Sequence, residues 1–161
     1  MTQYKIIESP LGPLRLVCDD AALLRIDFPD RHGTDGKPGN NELLKRCERQ
    51  LCEYFAGNRR DFDLPLAATG TEFQQKVWDA LRDIPFGELR SYRDIADSIG
   101  NRKAVRAVGA ANGKNPIPIV VPCHRVIGSD GSLTGFAGGL AAKQLLLRLE
   151  SPQQDLSQAE N

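Results

Sequence analysis

The 161-residue sequence has no apolar run approaching the roughly 18 residues that cross a bilayer, so a membrane span is excluded as a reading. Its start, MTQYKIIESP, has no basic segment followed by an apolar one, so the chain reads as leaderless and cytoplasmic. Reduced thiols are then expected at its four cysteines, Cys18, Cys47, Cys52 and Cys123. No CxxC or HxxxH pair occurs, and His32 and His124 are the only histidines. No metal and no cofactor is expected. A zinc site from Cys18, His32 and one helix cysteine stays open as an alternative, although Cys47 shares an apolar face with Leu44 and Leu51 and reads better as core. Net charge is zero, but no acid occurs between Asp97 and Asp130, where Arg102, Lys103, Arg106, Lys114 and Arg125 lie. A locally basic stretch on a neutral protein suits a polyanion or a solvated helix face.

What is present organises into two parts. YKIIES, LRLVC and ALLRIDF read as strands, DRHGTDGKPGNN as a loop, and NELLKRCERQLCEYFAG as a helix with a Leu44, Cys47, Leu51 and Phe55 stripe. RRDFDLPLAA reads as an extended linker with room for one more strand. Thr71 and Gln74 have capping-box spacing at the start of a helix that runs to Ile84 and stops at Pro85. Ser91 caps YRDIADSIG, and Asn101 is expected to cap RKAVRAVGAAN. Two short helices joined by a glycine turn, the second one basic, fit a helix-turn-helix or an ordinary helical hairpin. The prolines of NPIPIVV dictate an extended segment, VIGSDGSLTG reads as a hairpin, and LAAKQLLLRLE as a closing helix. The fold class is α+β. Residues 1–69 form a small strand and helix domain, 70–150 a helical domain with a winged helix-turn-helix, and 151–161 a polar, disordered tail.

Pro122-Cys123-His124-Arg125 sits between the apolar segment and a glycine-rich loop. Cysteine is often a small buried hydrophobe. It becomes a nucleophile only as thiolate, and its free pKa of about 8.5 requires assistance at neutral pH. If the segment is a strand, Cys123 and His124 point to opposite sides, so adjacency does not guarantee direct contact and leaves room for a bridging water. Glu150, at the end of the closing helix, is placed to orient the imidazole, giving a glutamate, histidine and cysteine relay.

RAVGAANGKNPIPIVVPCHRVIGSDGSLTGFAGG, flanked by TEFQQKVWDALRDIPFGELRSY and KQLLLRLE, resembles the signature region of the O6-alkylguanine-DNA alkyltransferases, also called methylated-DNA-protein-cysteine methyltransferases. The resemblance is dense over roughly residues 70 to 150 and reaches the first third only through SPLGPL and EYFAG. It implies a ribonuclease H-like first domain and direct reversal of DNA damage. An O6-alkylguanine, and by extension an O4-alkylthymine, is flipped from duplex DNA, and its alkyl group passes irreversibly to Cys123, once per molecule. It implies a monomer in solution and leaves clustering on DNA open. Among catalytic positions it adds Tyr92 as proton donor to the leaving base and Asn115 as hinge. Arg106 would fill the gap in the stack, with Arg102, Lys103, Lys114 and Arg125 as further DNA contacts. Val126, Ser132, Gly135, Phe136 and Ala137 would line the base pocket, with the carbonyls of Cys123 and Val126 accepting the exocyclic amine. Phe136 departs from the family, which has tyrosine there. A non-enzymatic lesion-binding protein is the alternative, and the presence of Cys123 speaks against it.

Overall fold

The structure is a computed structural model that describes residues 1–133 and 136–151. The chain divides into two compact units, one of residues 1–70 with 116–120, the other of residues 71–115 with those from 121 onward.

The first unit is built on a four-stranded sheet. Strands β1 (Gln3–Ile7), β2 (Leu14–Cys18) and β3 (Leu23–Asp27) pair antiparallel, and β4 (Lys37–Pro38) joins β1 in parallel, giving the order β3-β2-β1-β4. β4 falls within the stretch expected to be only a loop. All five residues of the central β2 are buried, and helix α1 (Glu42–Phe55) packs on the sheet. Each buried leucine of this core contributes about 2 kcal/mol of hydrophobic stabilisation. The helix stripe differs from expectation at one position: Tyr54, not Phe55, completes the buried set of Leu44, Cys47 and Leu51. RRDFDLPLAA supplies no named strand, only a bridge between Leu66 and Leu23.

The second unit is mainly helical. Thr71 and Gln74 form the expected capping box at the start of α2 (Glu72–Arg82), with reciprocal bonds of 2.9 and 3.1 Å. Ser91 and Asp94 form another at α3 (Tyr92–Ser98). Helix α4 (Val105–Gly113) does not begin at Asn101. Its N-cap is Ala104, without a side-chain cap, because residues 101–104 close a separate turn through Ala104 N–H to Asn101 O. Arg102 and Lys103 therefore lie in the turn before α4 and not on the helix. The indole Nε1–H of Trp78 on α2 donates to Ala111 O on α4 at 2.9 Å, tying the helices together through a buried polar bond.

Two features around the cysteine segment differ from the sequence reading. The proline-rich run does not stay extended: Ile119, buried and β-branched, takes a φ of 76°. Such a conformation stores roughly 1–3 kcal/mol of strain that surrounding packing must hold. The expected hairpin after Cys123 shows its turn, but no strand pair across it among the described residues, and residues 134–135 lie outside them. β6 (Val126–Ile127) pairs in parallel with β5 (Arg90–Ser91), and residues 128–132 close a tight turn through Gly128 N–H to Ser132 O at 2.8 Å. That pairing matters for the site, because it fixes the start of α3, and with it Tyr92, beside the cysteine segment. Helix α5 (Leu140–Leu149) ends at its C-cap, Glu150. The expected tail beyond Ser151 lies outside the described residues.

Candidate active site

Cys123, His124 and Arg125 form a single 3-10 turn, not a strand, closed by Val126 N–H to Cys123 O. The turn buries all three side chains. His124 Nε2 lies 2.7 Å from Glu150 Oε2, and both groups are out of contact with solvent. A carboxylate only accepts, so Nε2 carries the proton and Nδ1 presents its lone pair. Nδ1 has no hydrogen-bond partner among the described residues.

Arg125 is the anchor of this arrangement. Its Nε and Nη2 donate to Glu150 Oε1 and Oε2 at 2.8 and 3.0 Å, and Nη1 donates to Ile84 O at 2.6 Å. Arg125 is 6% exposed, so its expected role as a DNA contact is corrected: its donors are turned inward to the carboxylate and to Ile84 O. Burial opposes the charge on Glu150, but the bonds from His124 and Arg125 outweigh it and bring its pKa to about 2. Burial also pushes the His124 pKa down, against the pull of Glu150, so the imidazole is neutral at neutral pH.

Burial drives the Cys123 thiol the other way, up to about 11, despite a hydrogen bond with Asn115 and the positive charge of Lys143. At that value the sulfur is protonated at neutral pH and must lose its proton to act as a nucleophile. Asn115 is itself buried and donates to Val121 O at 2.8 Å, bracing the segment just before Cys123. Lys143 was not anticipated. It is fully buried on α5, its Nζ donates to Val126 O at 2.6 Å, and burial lowers its pKa. Its spacing three residues before the inward-facing Leu146 is the local signal, which a lysine's usual place at the surface masks.

The remaining candidates fall elsewhere. Tyr92 is half-buried, with its ring against the backbone of α4: a Cβ at Gly109 would sit 3.8 Å from Tyr92 Cδ1. Arg106 in the first turn of α4, Lys103 and Lys114 are exposed, and Arg102 is exposed and paired with Asp97 at 3.1 Å. Val126 lies at the site, and Ser132 lies exposed in the turn after it. Phe136 and Ala137 are half-buried, the Phe136 ring 5.9 Å from Lys143 Nζ. Gly135 lies outside the described residues. The sulfur itself is well covered, Cys123 being 4% exposed. Elsewhere, Cys18 and Cys47 are packed in the first unit's core, and His32 bonds Pro13 O at 2.9 Å.

Comparison with known proteins gives this geometry a setting. Residues 72–152 match the family model described as 6-O-methylguanine DNA methyltransferase, DNA binding domain, and residues 2–68 match the ribonuclease-like domain of the same family. The chain belongs to this family. Curated methylated-DNA–protein-cysteine methyltransferases from Methanosarcina acetivorans and Mycobacterium tuberculosis are 51% and 48% identical to it. The first match covers 91% of this chain and 97% of the relative, the second 93% of each. A crystal structure of Mycobacterium tuberculosis O6-methylguanine methyltransferase superposes with a TM-score of 0.87 at 46% identity, covering 94% of both chains. One of Mycobacterium tuberculosis OGT in complex with DNA gives 0.88 at the same identity and coverage. The α+β architecture of a ribonuclease-like unit followed by a helical DNA-binding unit is the family's own. Among the described residues no helix is long and apolar enough to cross a membrane.

Proposed function

We propose that this protein repairs alkylated DNA by transferring the alkyl group from the O6 position of guanine to Cys123. The observation that carries this reading is the buried Glu150–His124 pair, which leaves the lone pair of His124 Nδ1 free in a side chain adjacent to a protonated thiol. The activity for which the relatives are named, methyl transfer from DNA to a protein cysteine, is the chemistry that such a thiol serves.

The step balances as a displacement at carbon. The Cys123 thiol proton passes through a water to His124 Nδ1, and Glu150 stabilises the imidazolium that forms. The sulfur electron pair forms the new S–C bond. The C–O6 bond breaks, its electrons pass to the purine, and Tyr92 protonates the departing base. The thioether is too poor a leaving group to return the carbon, so each molecule reacts once. Arg106, exposed on α4, enters the stack behind the flipped base, and Lys103 and Lys114 contact phosphates. The carbonyls of Cys123 and Val126 accept the exocyclic amine, while Phe136 walls the ring. Because the sulfur is covered, entry of the base requires the groups packed over it to move. DNA is the partner, in keeping with the relative crystallised with it.

The test is mass spectrometry after incubation with duplex DNA containing O6-methylguanine. The reading expects one methyl group retained on the Cys123 peptide and a product yield capped at one per protein. Repair that continues past that yield, or a persistently unmodified Cys123, would overturn it.

A further inference from the structure

One buried polar side chain at the site takes no part in the relay. Asn112, in the last turn of α4, is 2% exposed, and its Nδ2 lies 3.4 Å from Cys123 O. Because that carbonyl only accepts, the contact fixes the amide with its nitrogen toward Cys123 and its oxygen away. Oδ1 has no hydrogen-bond partner among the described residues. The side-chain amide is thus held by a single, long polar contact.

Cys123 O has two lone pairs and, among the described residues, two donors: the Val126 N–H that closes the 3-10 turn, and Asn112 Nδ2. On the reading above, the same oxygen receives the exocyclic amine of the flipped guanine. A third donor has to displace one of the first two. The Val126 N–H is part of the turn's backbone and cannot leave without undoing it. The Asn112 amide can.

We infer that Asn112 is a specificity-determining residue, a stand-in donor that keeps Cys123 O paired when the pocket holds no amine and yields when a base brings one. Sites with buried polar groups reject ligands that leave those groups unpaired. Asn112 relieves that penalty for bases without an amine at this edge, so it widens the substrate range. The inference rests on the proposed base pocket.

Two free bases that differ only by the amine, O6-benzylguanine and O6-benzylhypoxanthine, separate the two ideas. Their single-turnover rates are compared in the wild type, Asn112→Ala and Asn112→Leu. A wild type without preference for the guanine base overturns the pocket reading and this inference with it. With a wild-type preference, a guanine-to-hypoxanthine rate ratio raised roughly two- to tenfold in both variants supports the stand-in role. An unchanged ratio, even with both rates reduced, means a structural role and overturns the inference. A lowered ratio overturns it too, since Asn112 would then assist amine recognition. Leucine keeps the number and branching of asparagine's heavy atoms and leaves no void, so a rise confined to the alanine variant reports a cavity and likewise counts against it.

Discussion

Glu150 Oε2 lies 2.7 Å from His124 Nε2, with neither side chain reaching solvent. The bond dictates which ring nitrogen is free, and in the proposed relay that nitrogen receives the Cys123 proton. A pH profile follows. The thiol's own pKa is pushed up to about 11 and the imidazole's is pushed down, so in the proposed relay proton removal depends on neutral His124 across the neutral and mildly alkaline range. Single-turnover transfer should be nearly flat from about pH 7 to 9 and fall only in acid, where the imidazole protonates. Glu150→Gln should slow transfer on the order of 100-fold. A tenfold rise per pH unit in the wild type would mean that free thiolate, not the relay, sets the rate.

Arg125 was read from sequence as a DNA contact, and the structure makes it the clamp on Glu150. Arg125→Ala leaves a buried carboxylate without its bidentate partner and Ile84 O without its donor. Removing one partner of a buried ion pair destabilises by about 3–5 kcal/mol. Urea unfolding should register that loss. The salt dependence of DNA binding, measured on folded protein at low temperature, should keep its wild-type slope. A reduced slope would restore Arg125 to the DNA interface.

The contrast between these residues shows what a sequence exposes. The caps at Thr71 and Ser91 were legible because each is closed by a residue three positions on, a relation contained in the local pattern. The same rule misled at Asn101, where the backbone carbonyl closes a turn and the side chain caps nothing. Cys123 and His124 were legible as a chemical pair, but their shared 3-10 turn was not, since the prolines before them argued for extended chain. Lys143 and Arg125 escaped for one reason: each is buried against a partner 17 or more residues away. Periodicity marks which face of an element turns inward, but it cannot reveal that a charged side chain there has found an acceptor.

Arg106 stands in a different class, exposed in the first turn of α4 and outside the buried cluster. Arg106→Ala should slow repair in duplex DNA strongly while leaving the reaction with free O6-benzylguanine close to wild type. It should also lower the salt slope of DNA binding by about 1. Equal losses on duplex and free base would place Arg106 in the chemistry or the folding, and remove its role in base extrusion.

The four cysteines should separate cleanly under a general thiol reagent. Cys52 is exposed, whereas Cys18, Cys47 and Cys123 are buried, with burial raising the pKa of each. Iodoacetamide at neutral pH should therefore modify Cys52 first, and peptide mapping should find Cys123 largely unmodified at that point. O6-benzylguanine should reverse the order and label Cys123 alone, because a base seated in the pocket is presented to the sulfur and its relay together. Early iodoacetamide labelling of Cys123 would show the resting sulfur to be more open than its 4% exposure indicates.

Acid should weaken the second unit through Glu150. Its carboxyl titrates near 2 in the folded protein and at about 4.3 when unfolded, so the folded state holds the charge more firmly. A depressed carboxyl pKa contributes stability that is complete above the unfolded value and drains away as pH falls toward the folded one. The difference in unfolding free energy between wild type and Glu150→Gln should thus shrink steadily between about pH 4.3 and 2. Burial opposes the charge on Asp27 of the first unit, but bonds from Arg25, the Gly33 N–H and Arg15 outweigh it, and Arg25 likewise holds Asp35 low, so both add acid sensitivity common to the two proteins. Subtracting the variant's curve from the wild type's removes that shared part. A difference that stays constant through the window would mean that Glu150 is not charged in the native site, and the assignment of His124 Nε2 as the protonated nitrogen would lose its basis.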